Sequence, residues 1–205
     1  MQNFPTSRAT LPRVRRVTIA LFATIGLLST MTTGASPASA EPIADMTTPA
    51  LYNGTIIDMA ADWEDAEACL VRPDVLDMPE CFDSVEQLEA RSAELIDEHG
   101  PVRGFSTRRG KSSFANCATK LWLYDGAYGT GAKINFQLRN QWINLSSYGF
   151  NQKTSSYHIG GCNATFHDYA NGGGGLYPTN QTQAWDGSPG MAAGWNNDVS
   201  SVRIY

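Results

Sequence analysis

The strongest constraint in this chain is a pattern that its C-terminal part carries twice. Tyr124-Asp-Gly-Ala-Tyr-Gly-Thr-Gly131 starts on an aromatic residue and reaches a glycine seven positions later. Phe166-His-Asp-Tyr-Ala-Asn-Gly-Gly173 has the same offset. Each is followed by a serine pair, Ser155-Ser156 and then Ser200-Ser201, both opening runs of β-forming residues. The leading aromatics lie 42 residues apart and the serine pairs 45 apart. The chemistry suits a folded-over hairpin. Glycine accepts a positive φ, and an aromatic ring can lie across the turn. Serine hydroxyls at a strand start can bond backbone groups that the turn leaves open.

Around this pattern the expected strands are short, aromatic and β-branched: 121–124, 133–136, 142–145, 155–159, 163–168, Leu176-Tyr177, 182–185 and 200–205. Gly, Asn and Asp separate them, as turns between strands of a sandwich or barrel require. A repeat near forty residues with four strands per unit predicts two Greek-key motifs packed as a pair. The fold class is therefore all-β over residues 113–205.

The preceding region differs in kind. Residues 1–40 read as a secretory signal peptide: Arg8, Arg13, Arg15 and Arg16 precede the apolar VTIALFATIGLLSTM, and Ala38-Ser39-Ala40 supplies a small-residue cleavage site. A secreted protein without a membrane span after cleavage is expected. Residues 41–112 hold 16 acidic and 6 basic residues, against 4 and 5 in 113–205. This acidic stretch predicts a small, partly helical segment, either a solubilising spacer or a pro-region released near Arg108-Arg109. Its clearest helix follows Asp83-Ser84, with Glu86 or Gln87 completing a capping box, and stops at Gly100-Pro101. Val85, Leu88, Leu95 and Ile96 fall near one helical face. A second helix is expected over residues 61–69. An even cysteine count in an exported chain predicts two disulfides. Three pairings are open, and the division into segments favours Cys69–Cys81 and Cys117–Cys162.

The hairpin-and-serine pattern resembles the βγ-crystallin superfamily. LWLYDGAYGTGAKINF, WINLSSYGFNQKTSS and GWNNDVSSVRI are similar, more narrowly, to exported bacterial metalloproteinase inhibitors of that fold. The resemblance covers residues 115–205. It implies a protein-binding module that inhibits an exported peptidase, and calcium ligands in two loops. One loop would offer Asn151, the Lys153 carbonyl and Ser155; the other would offer Asn196, Asn197, the Asp198 carbonyl and Ser200. Calcium gains affinity from carboxylates. An amide-led set with Gln152 and Lys153 in it predicts weak binding, and no required cofactor.

Other classes find little support. No HExxH or GxSxG motif occurs, so no enzyme is expected. His99, His158 and His167 sit at no ligand spacing. His167 and Asp168, as neighbours on a strand, should face opposite sides, and His158 reads as a half-buried sheet residue. An acidic chain with no basic patch in its β-part does not suit nucleic acid. A monomer is expected. Alternatives to inhibition are an envelope structural module with a weak calcium or glycan site, and a toxin-like exported effector. The stretches 170–180 and 184–195 are the candidate contact loops.

Overall fold

The computed structural model describes residues 47–102 and 119–205. The signal peptide, Arg108-Arg109 and Cys117 lie outside the described residues. The repeat becomes β5 (Leu121–Tyr124), β6 (Lys133–Phe136), β7 (Trp142–Asn144) and β8 (Ser156–Ile159), then β9 (Ala164–His167), β10 (Leu176–Tyr177), β11 (Gly187–Ser188) and β12 (Ser201–Ile204). These are two Greek keys, and each gives its third strand to the other's sheet. One sheet contains β11-β8-β5-β6, and the other is β10-β9-β12-β7. The exchange makes the two keys a single core. Leu121, Leu123, Ile134, Phe136 and Ile159 pack against Ile143, Leu145, Phe166, Val202 and Ile204.

The acidic region contributes far more than a helix. It forms β1 (Pro49–Tyr52), β2 (Thr55–Asp58), β3 (Ala68–Val71), β4 (Glu80–Phe82) and α1 (Val85–His99). β3 runs parallel to β6, with Ala68 opposite Lys133 and Val71 opposite Phe136. The larger sheet therefore has eight strands, ordered β11-β8-β5-β6-β3-β4-β1-β2. The described residues, 47–102 and 119–205, belong to one compact unit.

Every residue of β3 is buried because both its faces are covered. Cys69 and Val71 enter the sandwich core. Ala68 and Leu70, with Trp122 of β5, meet Leu88 and Leu95 of α1 on the outer face. The helix itself follows its sequence signals. Ser84 Oγ accepts from Gln87 N at 3.3 Å, and Asp83 N donates to Gln87 Oε1 at 3.2 Å. Gly100 ends it at φ 77°. The third residue buried on its inner face is Ser92, not Ile96. Ser92 Oγ accepts from Gln137 Nε2 at 2.8 Å.

Three expectations change. The helix over 61–69 does not form; turns there lead into β3, because Cys69 must sit opposite Cys81 on β4. The strand expected at 182–185 lies instead at Gly187–Ser188, where it pairs with His158 and Tyr157 of β8. His158 is exposed, while its neighbour Tyr157 faces the core. The disulfide Cys69–Cys81 is present, and Cys162 is disulfide-bonded as well.

Cys69–Cys81 closes a short loop, with a sequence separation of 12. Replacing both cysteines by serine is expected to lower unfolding free energy by about 3 kcal/mol in urea titrations, chiefly by freeing the unfolded chain.

Candidate binding surface

The two serine pairs do the same work at symmetry-related places. Ser156 Oγ donates to Gly126 O at 2.7 Å and accepts from Gly129 N at 3.1 Å. Ser201 Oγ donates to Tyr169 O at 2.6 Å and accepts from Gly172 N at 3.0 Å. Each hydroxyl thus satisfies both a carbonyl and an amide of the folded hairpin beside it. The structure also corrects the register of the repeat. The counterpart of Tyr124 is His167, not Phe166, and that of Gly131 is Gly174, with φ 75° and 74°. Gly173 has a negative φ. A Cβ at Gly131 would overlap Asp125 Oδ1, and one at Gly174 would overlap Asp168 Oδ1. The shared element of the repeat is therefore an Asp followed six residues later by a left-handed glycine.

The loops carrying the implied calcium ligands pair with each other. Gln152 N donates to Val199 O at 2.9 Å, and Asn197 N donates to Thr154 O at 3.0 Å. Gln152 and Asn197 both adopt positive φ, 55° and 58°. Ser155 Oγ donates to Asn197 Oδ1 at 3.0 Å, so one ligand position from each loop is spent on the other. Ser155 and Ser200 are buried, while Asn151, Asn196 and Asn197 are exposed and Asp198 is half-buried. Lys153 stands exposed in the first loop, and Asp198 was expected to offer only its carbonyl. Such a neutral, internally bonded set is a poor fit for Ca²⁺, which takes six to eight oxygens.

A different surface stands out at the β11 end of the large sheet. Tyr128 is 83% exposed and Trp185 71% exposed, and both hold positive φ, 59° and 64°. Two large aromatics facing solvent beside one edge strand make this a candidate contact surface; the left-handed turn at Tyr128 is shared by Asn171 in the other hairpin. Their backbone is pinned on several sides. Trp185 N donates to Gly160 O and Tyr128 N to Pro189 O, both at 2.7 Å. Ile159 N donates to Asp186 O at 2.9 Å, and Met191 N to Ser155 O at 2.8 Å. Tyr157 OH lies 3.5 Å from Asp186 Oδ2. Burial first, then the Asp186 carboxylate, pushes the Tyr157 phenol well above its ordinary value, so it stays protonated as a donor. Between Tyr128 and the loop lies an open concavity of about 340 Å³, lined by Tyr124, Tyr157, His158, Ser188 and Pro189 among others. The second candidate loop, 170–180, is held differently: Leu176–Tyr177 pairs with β9, and Gly175 N donates to Asp168 Oδ1 at 2.6 Å.

No sequence signal marked Tyr128 as a surface residue, since it sits inside the repeat. Trp185 lies within the expected contact loop 184–195, where Ala184-Trp-Asp-Gly-Ser-Pro-Gly190 places a lone Trp among turn formers. Among the described residues no helix is long and apolar enough to cross a membrane, and no cluster of three His, Cys, Asp or Glu could hold a metal.

Ser156→Ala and Ser201→Ala are each expected to cost roughly 1–3 kcal/mol, because each leaves a hairpin amide and carbonyl without their partner. Thermal or urea unfolding measures this. Millimolar Ca²⁺ is expected to move Tm by less than about 1 °C, given the poor ligand set.

No family model matches the chain, and no curated protein matches it. Among solved structures it is similar to a βγ-crystallin from Ciona intestinalis, at 20% identity over 42% of this chain and 99% of that one, with a TM-score of 0.34. It is similar to a βγ-crystallin domain from Flavobacterium johnsoniae, at 26% identity over 42% and 92%, TM-score 0.34. A double mutant of a βγ-crystallin domain from Clostridium beijerinckii gives 21% identity over 42% and 96%, TM-score 0.35.

Proposed function

We propose that this chain is an exported binding module that inhibits a peptidase, of the metallopeptidase type that the sequence resemblance implies. Its contact surface is the Trp185–Pro189 loop together with Tyr128. The observation that carries this reading is the pinned display of two exposed aromatics at left-handed positions. A loop that occupies a protease cleft must be ordered beforehand, since ordering it on binding costs affinity. Backbone hydrogen bonds from Tyr128, Ile159, Trp185 and Met191 provide that order without the local disulfides usual in small inhibitors. Aromatic anchors of this kind concentrate binding energy at interfaces. No nucleophile, acid–base pair or metal cluster is needed for such a role.

A second reading has one observation in its favour. The concavity beside Tyr128 is lined by Tyr124, Tyr128, His158 and Pro189 among others, with no carboxylate or lysine. Aromatic faces with hydroxyls nearby also suit a sugar ring in an envelope glycan. Sedimentation with purified cell wall separates this from inhibition.

Titration of the secreted protein against a panel of exported metallo- and serine peptidases is the direct test. Inhibition of at least one is expected, and Trp185→Ala should weaken it by about tenfold or more with Tm unchanged. Inhibition of none would remove the reading.

A further inference from the structure

We infer that the acidic segment is a permanent strap that completes the sheet, and that cutting the chain between its two parts neither releases it nor activates the protein. In a two-key module alone, β6 would be an outer edge, as β10 is in the other sheet. The two edges are built differently. β10 is only two residues long and runs into Pro178, which has no amide to donate. Short edges and prolines are how sheets resist unwanted pairing. β6 is four residues long with no such protection, and its outward side is taken by β3. Lys133 N donates to Glu67 O and Gln137 N to Val71 O, both at 2.9 Å. The Lys133 ammonium also pairs with the Glu67 carboxylate.

The strap is seated at a second, independent place. Trp63 Nε1 donates to Tyr148 O at 2.8 Å, and the Trp63 ring stacks on Phe150 with centroids 5.6 Å apart. Gly149, at φ 63°, lies so close that a Cβ there would overlap the Met59 carbonyl. Only glycine lets the strap pass at this point. Ala50, Ile57, Met59, Cys69 and Val71 then enter the same core as Phe136 and Phe150. A segment that shares the core and covers a four-residue edge is part of the folded unit, not an added layer on it.

Its position also bears on regulation. Along the large sheet β11 and β3 are separated by β8, β5 and β6. The strap thus lies at the opposite end from the Trp185 loop and leaves that loop uncovered. This last step rests on the proposed contact surface; the permanence of the strap does not.

The test uses the full secreted chain with a site-specific protease sequence inserted within residues 103–112 and complete cutting verified under denaturing conditions. Both fragments are expected to leave a native size-exclusion column together at the position of the uncut protein. They should separate only in denaturant. Separation without denaturant overturns the strap. Cut and uncut protein are expected to inhibit the same peptidase equally. A gain of inhibition on cutting overturns the claim that the strap leaves the loop uncovered. If neither form inhibits while the fragments still travel together, the strap stands and the proposed function falls.

Discussion

A single serine hydroxyl, held between a carbonyl and an amide of a folded hairpin, is the interaction on which this architecture rests. It occurs twice, at Ser156 and Ser201, with all four distances between 2.6 and 3.1 Å. The hairpin that each serine holds folds back over the end of its own sheet. Without the hydroxyl, two backbone groups there would lose their partners, a cost that buried structure rarely bears. Because the serine opens β8 or β12, fixing the hairpin also fixes where an inner strand of each sheet starts. The exchange of β7 and β11 between sheets then ties the two halves into one core.

The same symmetry makes its exceptions informative. The loops at 151–155 and 196–200 pair across the pseudo-dyad through Gln152 and Asn197, spending Ser155 and Asn197 on each other. That is a structural use of residues whose spacing resembles ligand loops. One sheet ends at a blunt β10 and the other continues into four strands of the acidic region. Charge and structure therefore do not divide at the same place. Most of the acidic side chains lie on the outside of strands and of a helix whose inner face carries Leu88, Ser92 and Leu95.

Much of this was legible in the sequence. LWLY and KINF became strands at the expected residues, because alternation of Leu121 and Leu123 with Trp122 and Tyr124 separates the two faces cleanly. Ser84 capped the helix, and Cys69 met Cys81. What was hidden depends on distant pairing. Residues 61–69 look helical by local composition, but a parallel partnership with β6 more than sixty residues away overrides that preference. The repeat was displaced by one position in its second copy because Phe166 is aromatic and His167 is not a usual turn cover. Asp125 and Asp168, whose carboxylates fill the space that the glycines leave, mark the true register. The candidate surface was the least legible part. Nothing in the spacing of Tyr128 and Trp185 says that both are tied beside the same edge strand, β11.

The central functional claim is that this surface is ordered before any partner arrives. Amide hydrogen exchange in the free protein measures that most directly. The amides of Tyr128 and Trp185, donated to Pro189 O and Gly160 O, should exchange orders of magnitude more slowly than those of an open chain. Exchange of both amides at open-chain rates would contradict a pre-ordered contact loop.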